Sequence, residues 1–207
     1  MKLLEVKDLT VRYGSLTAVQ GFSFSVEEGE TVVLLGPNGC GKSSVLLAIM
    51  GVVRPASGKI LYRGQDLVKT KPWHRVSMGM AMLPENRRLF DDLTVEENLR
   101  LAAESLGHDV ALSELQAVLP EPLRVRLNVP CRLLSGGERQ LVAIVRLKLQ
   151  RPQLALLDDP LAGVGLDLWP EMVEMVHGAK GILLAAPRRE LPFKVDRVID
   201  MRAVEDT

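Results

Sequence analysis

Two short stretches of the chain carry residue types suited to handling phosphate. GPNGCGKS (residues 36–43) has the spacing G-x-x-x-x-G-K-[ST]. It follows the apolar run TVVLL and precedes SVLLAIMG (44–51), which reads as a helix stopped by glycine. A glycine-rich turn in that context lets backbone N–H groups curl around an anion at the helix N-terminus. Gly36, Asn38, Gly39, Cys40 and Gly41 make up the turn, with Cys40 a small filler inside it. Lys42 would reach β- and γ-phosphates, Ser43 would hold Mg²⁺, and Ser44 would take the next phosphate. The second stretch, LALLDDP (154–160), is an apolar run ending in Asp158 and Asp159. Adjacent residues in extended backbone point in different directions, so two neighbouring acids there can serve separate tasks.

The elements that must position these groups are partly legible. LLEVKDLTVR (3–12) and GFSFSV (21–26) alternate with period two, as half-buried strands do. TVVLL (31–35), LALLD (154–158) and GILLAA (181–186) are continuously apolar, as in strands buried on both faces. KILYRG (59–64) predicts another strand after the turn RPASG. TVEENLRLAAESL (94–106) predicts a helix, with Thr94 and Glu97 as a capping box and Val95, Leu99, Ala102 and Leu106 on one face. Residues 135–150 predict a long helix. Strands alternating with helices indicate an α/β core with a mainly parallel sheet, behind an N-terminal antiparallel β region. Residues of about 86–134 interrupt that alternation and predict a helical subdomain within one domain spanning 1–207.

Composition narrows the classes further. Of 207 residues, 47% are hydrophobic, ample for a packed core. Lys+Arg and Asp+Glu both number 26, so the net charge is zero and gives no general attraction to nucleic acid or anionic lipid. The first residues, MKLLEVKDLTVRYG, are charged throughout and lack the apolar core of a signal peptide. No apolar run approaches the roughly 20 residues that span a bilayer. Two cysteines, Cys40 and Cys131, make neither a disulfide framework nor a metal-spacing pattern, which favours a reduced, cytoplasmic setting.

LLSGGERQ (133–140) sharpens the reading. Ser135 with Glu138 forms a capping box, but two successive glycines weaken a helix start. Gly136 and Gly137 are useful where backbone must approach a phosphate closely. Together with the phosphate loop, LSGGE resembles the signature motif of ATP-binding cassette (ABC) ATPases, over almost the whole chain. That resemblance implies a site for ATP and Mg²⁺ completed between two subunits. Ser135, Gly136, Gly137 and Glu138 of one would meet the γ-phosphate on the other's loop. Tyr13 matches the aromatic that stacks on adenine. MLPENRRLF (82–90) matches the Q-loop, with Glu85 where many members carry glutamine, near Mg²⁺ and water. Glu85 with RRLF and TVEENL resembles the branched-chain amino acid importer subgroup, and 86–98 would face a membrane permease.

Within the same resemblance, Asp158 matches the acid that holds Mg²⁺ through water. Asp159 stands where the family uses glutamate to polarise the attacking water. Its oxygens fall back by roughly 1 Å, and an error of that size in phosphoryl transfer costs on the order of 10²-fold. Pro187 occupies the place of the switch histidine and has no side-chain donor; Arg188 or Arg189 could supply one. Gly165 falls at the D-loop aspartate in an ungapped match, and Asp167 after a two-residue insertion. The resemblance implies an ATPase subunit on the cytoplasmic face of a membrane, driving transport through a permease. A binding half or scaffold without turnover is the alternative. A cassette acting on nucleic acid is disfavoured by the neutral charge and the absence of a second cassette.

Overall fold

A computed structural model describes residues 1–85, 89–104, 111–160, 178–187, 191 and 194–201. Two long strands, β1 (Lys2–Tyr13) and β2 (Leu16–Glu27), form an antiparallel hairpin. β3 (Thr31–Leu35) leads into α1 (Lys42–Met50). β4 (Ser57–Tyr62) and β5 (Gln65–Asp66) extend the hairpin into a sheet of order β2-β1-β4-β5. α2 (Pro72–Ser77) and β6 (Met80–Leu83) follow. Next come α3 (Val95–Glu104), α4 (Leu112–Val118), α5 (Glu121–Arg124) and a 3₁₀ turn at Cys131–Leu133. α6 (Gly136–Leu149), β7 (Leu154–Asp158), β8 (Gly181–Ala186) and β9 (Arg197–Asp200) complete the described elements.

The second sheet has the order β6-β7-β8-β3-β9 and every pairing in it is parallel. This is the α/β P-loop architecture that the sequence predicts, with its N-terminal antiparallel sheet. Its strands are apolar on both faces because both faces are covered. Val33, Leu35, Ala155 and Leu157 join a core with Val95 and Leu99 of α3 and Leu141 and Val142 of α6. Their neighbours Val32, Leu34, Leu154 and Leu156 join a second core with Val45, Leu46 and Ile49 of α1, closed by Leu4, Leu9 and Phe22 of the antiparallel sheet. α1 is therefore enclosed between two sheets, and its N-terminus opens at the carboxyl ends of the parallel strands, where α/β folds bind ligands.

Several boundaries depart from the sequence reading. α1 begins at Lys42, two residues before the predicted start, with Gly41 as its N-cap in the left-handed conformation. β6, β9 and α2 have no counterpart in that reading, while α4 and α5 fall within the helical region expected at about 86–134. β6 is four residues of MAML, too short for a period, and β9 is a half-exposed edge strand. The Thr94–Glu97 capping box is present: Thr94 N donates to Glu97 Oε2 at 2.7 Å and Glu97 N to Thr94 Oγ1 at 3.2 Å. Val95, Leu99 and Ala102 are buried as predicted, while Leu106 lies outside the described residues.

Candidate nucleotide site

The loop between β3 and α1 is built around glycines that only glycine can satisfy. Gly41 has φ 93°, and a Cβ there would run into Ala18 O and come within 2.7 Å of Val19 Cγ2. Gly36 has no such φ, but its Cβ would meet Cys40 Sγ at 2.6 Å. As N-cap of α1, Gly41 offers no side chain to the first turn. The N–H groups of Lys42, Ser43 and Ser44 thus have no intrahelical acceptor, and they form a donor set for an anion. Lys42 is only 7% exposed. Its Nζ donates to Gly36 O and Pro37 O, each at 2.7 Å, and lies 3.9 Å from Cys40 Sγ. Asn38 and Gly39 are exposed at the tip of the loop. Tyr13, at the end of β1, is 44% exposed, and its hydroxyl donates to Ser44 Oγ at 3.4 Å.

Two further strand ends bring acids to the same edge. Asp158 is 6% exposed at the end of β7, and Ser43 Oγ donates to its Oδ1 at 2.9 Å. Burial pushes the Asp158 carboxyl above its ordinary range. The Ser43 hydrogen bond opposes this, the charges of Glu85 and Asp159 push it further up, and Lys42 pulls it back. Asp159 has φ 42°, in the left-handed region, and its N–H donates to Ala185 O at 3.0 Å. Extended-strand alternation therefore ends before Asp159: the chain turns there, and the turn sets the direction of its carboxylate. Glu85 lies in an exposed turn beyond β6. Leu83 pairs with Leu157, so Glu85 and Asp159 each stand two residues past the same rung. Leu35 pairs with Ala186 and Gly36 N donates to Ala186 O at 3.3 Å, which sets exposed Pro187 level with the start of the loop. Gly165, Asp167, Arg188 and Arg189 lie outside the described residues.

No group of three or more His, Cys, Asp or Glu able to hold a metal ion occurs among the described residues. The hydroxyl–carboxylate pair of Ser43 and Asp158 instead fits a hard divalent cation that takes its remaining oxygens from phosphate and water.

The SGGE stretch opens α6. Ser135 Oγ accepts from Glu138 N at 3.3 Å, and Glu138 Oε2 accepts from Ser135 N at 2.8 Å. Burial would raise the Glu138 carboxyl, but the Ser135 hydrogen bonds and Arg126, 2.9 Å away, outweigh it and hold the group below its ordinary range. Ser135 and Gly136 are exposed and Gly137 is half-buried. Three residues outside the predicted site support it. Gln140, 3% exposed, donates from Nε2 to Pro160 O at 2.6 Å, tying α6 to the residue after Asp159. Asn98, fully buried, accepts from Phe90 N at 2.9 Å and donates to Phe90 O, Thr94 O and Cys131 Sγ. Arg75, on α2, donates to the Ala48 and Ile49 carbonyls at the far end of α1. Only Gln140 had a visible signal, its place directly after the signature.

The ABC transporter family model matches residues 19–162, and the chain belongs to that family. It is 37% identical over 191 residues to a spermidine/putrescine import ATP-binding protein, PotA, of Pseudomonas aeruginosa, covering 87% of this chain and 50% of the relative. It is 33% identical over 178 residues to the high-affinity branched-chain amino acid transport ATP-binding protein BraG of Pseudomonas aeruginosa, covering 84% of this chain and 76% of that protein. Among solved structures, an ATP-binding subunit of an ABC transporter superposes with a TM-score of 0.76 at 35% identity, over 89% of this chain and 79% of the other. The chain thus spans half the length of its polyamine-import relative. Relatives named for polyamines and for branched-chain amino acids both match, so the likeness does not single out the branched-chain subgroup. Among the described residues no helix is long and apolar enough to cross a membrane.

Proposed function

We propose that this chain is the ATP-binding and ATP-hydrolysing cassette of an ABC importer. It would lie on the cytoplasmic face of the membrane against an integral permease and pair with a second cassette. The observation that carries the reading is the 2.9 Å hydrogen bond between Ser43 and Asp158, which joins the first turn of the loop helix to the end of a buried strand 115 residues away. The free N–H groups of Lys42, Ser43 and Ser44 bind the phosphates, and Lys42 turns its ammonium from the Gly36 and Pro37 carbonyls to the β- and γ-phosphates. Tyr13 offers its exposed ring to the adenine. Ser43 and Asp158, with Glu85, would hold Mg²⁺, which would supply positive charge against the phosphates. Asp159 and Glu85, level at the ends of β7 and β6, orient the attacking water. Ser135, Gly136, Gly137 and Glu138 complete the site of the opposing cassette across the dimer. The permease chooses the solute, since the roles assigned to these residues all concern nucleotide.

A binding half that relies on a competent second cassette is a distinct reading, favoured by Pro187. Level with Gly36, it has neither a side-chain donor nor an N–H. Steady-state Mg-ATPase activity with sedimentation in the same buffer separates the two. Turnover together with ATP-dependent dimerisation supports the hydrolysing cassette. Dimerisation without turnover supports the binding half, and neither response contradicts both.

A further inference from the structure

Arg75, on α2, is the most buried charged side chain among the described residues, at 1% exposure. Its hydrogen bonds all go to backbone carbonyls. Nε donates to Thr70 O at 3.1 Å, Nη1 to Ala48 O at 2.9 Å and Ile49 O at 2.7 Å, and Nη2 to Leu67 O and Thr70 O. Ala48 and Ile49 belong to the last turn of α1, the helix whose first turn forms the nucleotide site. Capping accounts for only part of this: Ile49 O takes its bond from Arg75, but the same fork also holds Leu67 O and Thr70 O, outside α1. Gly51 and Val52 already close α1, through Gly51 N to Ala48 O at 3.1 Å and Val52 N to Leu47 O at 3.0 Å. The Asp66 charge lies near enough to act on the guanidinium, yet among the described residues Arg75 makes no direct ion pair; burying it is costly, and such groups serve best where they fix one arrangement of the elements they join. The fold makes room for it: a Cβ on Gly51 would stand 2.7 Å from Arg75 Cζ and Nε. The five donors of the rigid fork thus tie α1, the 67–70 turn and α2 into one body. α2 runs through Met78 and Gly79 directly into β6, and Glu85 follows two residues beyond the end of that strand.

We propose that Arg75 is a positioning residue that couples the nucleotide helix α1 to β6, so that occupancy at the loop is felt along 66–83 and at Glu85. The proposal rests on the nucleotide site inferred above. It makes no use of the phosphate groups directly, because Arg75 sits at the opposite end of α1. Coupling of this kind is reciprocal and amounts to about five-fold or more in an equilibrium constant.

The test is amide hydrogen exchange on the full chain with and without Mg-ADP, with binding followed by calorimetry. In the unaltered chain, saturating Mg-ADP slows exchange in α1 and, by about five-fold or more, across 66–83. Arg75→Lys keeps the charge but loses the fork. It is expected to bind Mg-ADP and retain the slowing in α1 while losing it across 66–83. Gly51→Ala leaves Arg75 in place and displaces its guanidinium, so it gives the same pattern and decides the matter if Arg75→Lys does not fold. Slowing across 66–83 that survives in the folded variants overturns the proposal and leaves the nucleotide site standing. Slowing confined to α1 in the unaltered chain does the same. A chain that does not bind Mg-ADP at all overturns the nucleotide site, and the coupling with it.

Discussion

Lengthening Asp159 to glutamate is the most informative single change to the catalytic edge. The extra methylene advances the carboxylate oxygens by roughly 1 Å, and a misplacement of that order costs up to about 10²-fold in rate. Converted to a barrier, this is about 2.7 kcal/mol. If reach limits turnover, Asp159→Glu raises kcat toward that full factor and leaves ATP affinity unchanged. The same change carries a structural cost. At φ 42° the residue is left-handed, a conformation that aspartate tolerates better than glutamate, so the variant loses about 1 kcal/mol of stability. The assay is steady-state Mg-ATPase at saturating ATP, well below the melting temperature, with the melt recorded alongside. A lowered Tm with no gain in turnover refutes the reasoning. It would mean that the left-handed turn, rather than side-chain length, sets where the carboxylate lies, or that Pro187 is limiting.

Three further changes test the surrounding frame. Because burial raises the Asp158 carboxyl, the folded chain holds this proton more tightly than the unfolded chain. The charged form therefore costs stability at neutral pH, and the cost fades as pH falls through the raised value to below the ordinary 3.8. Asp158→Asn, which can still accept from Ser43, should raise Tm at pH 7, lose that gain below about pH 4 and abolish Mg-dependent turnover; a lower Tm at pH 7 would contradict this. Ser135→Ala removes the capping box of α6 and should cost about 0.5–2 kcal/mol in a denaturant melt, with nucleotide affinity of the monomer unaltered. Asn98→Ala strands the Phe90 N–H and several carbonyls in a buried site and should cost about 2–3 kcal/mol; a loss below 0.5 kcal/mol would show that the hub is not sealed from water.

The parts of this molecule visible in the sequence are those in which local chemistry and tertiary role agree. β3, β7 and β8 are continuous apolar runs because both faces of the parallel sheet are covered. Gly36 and Gly41 announce the loop because backbone and Cys40 leave no space for a side chain. Thr94 and Ser135 carry their capping boxes within four residues. β6 and β9 were illegible for the opposite reason, since four residues of MAML or RVID hold no period and become strands only by pairing with β7 and β3. Arg75 gave no signal, as its acceptors are carbonyls, which every residue possesses. The turn at Asp159 was hidden as well. A run ending in two acids looks extended to its last residue, and only the structure shows the left-handed step between them.

The central claim is that the loop at 36–44 binds nucleotide. Titration calorimetry with a non-hydrolysable ATP analogue and Mg²⁺ tests it most directly, on the unaltered chain and on Lys42→Ala. One analogue per chain, weakened about 10- to 100-fold by Lys42→Ala in a protein that still melts cooperatively, is the expected result. Equal binding by the two proteins, or no binding by the unaltered chain, would contradict it.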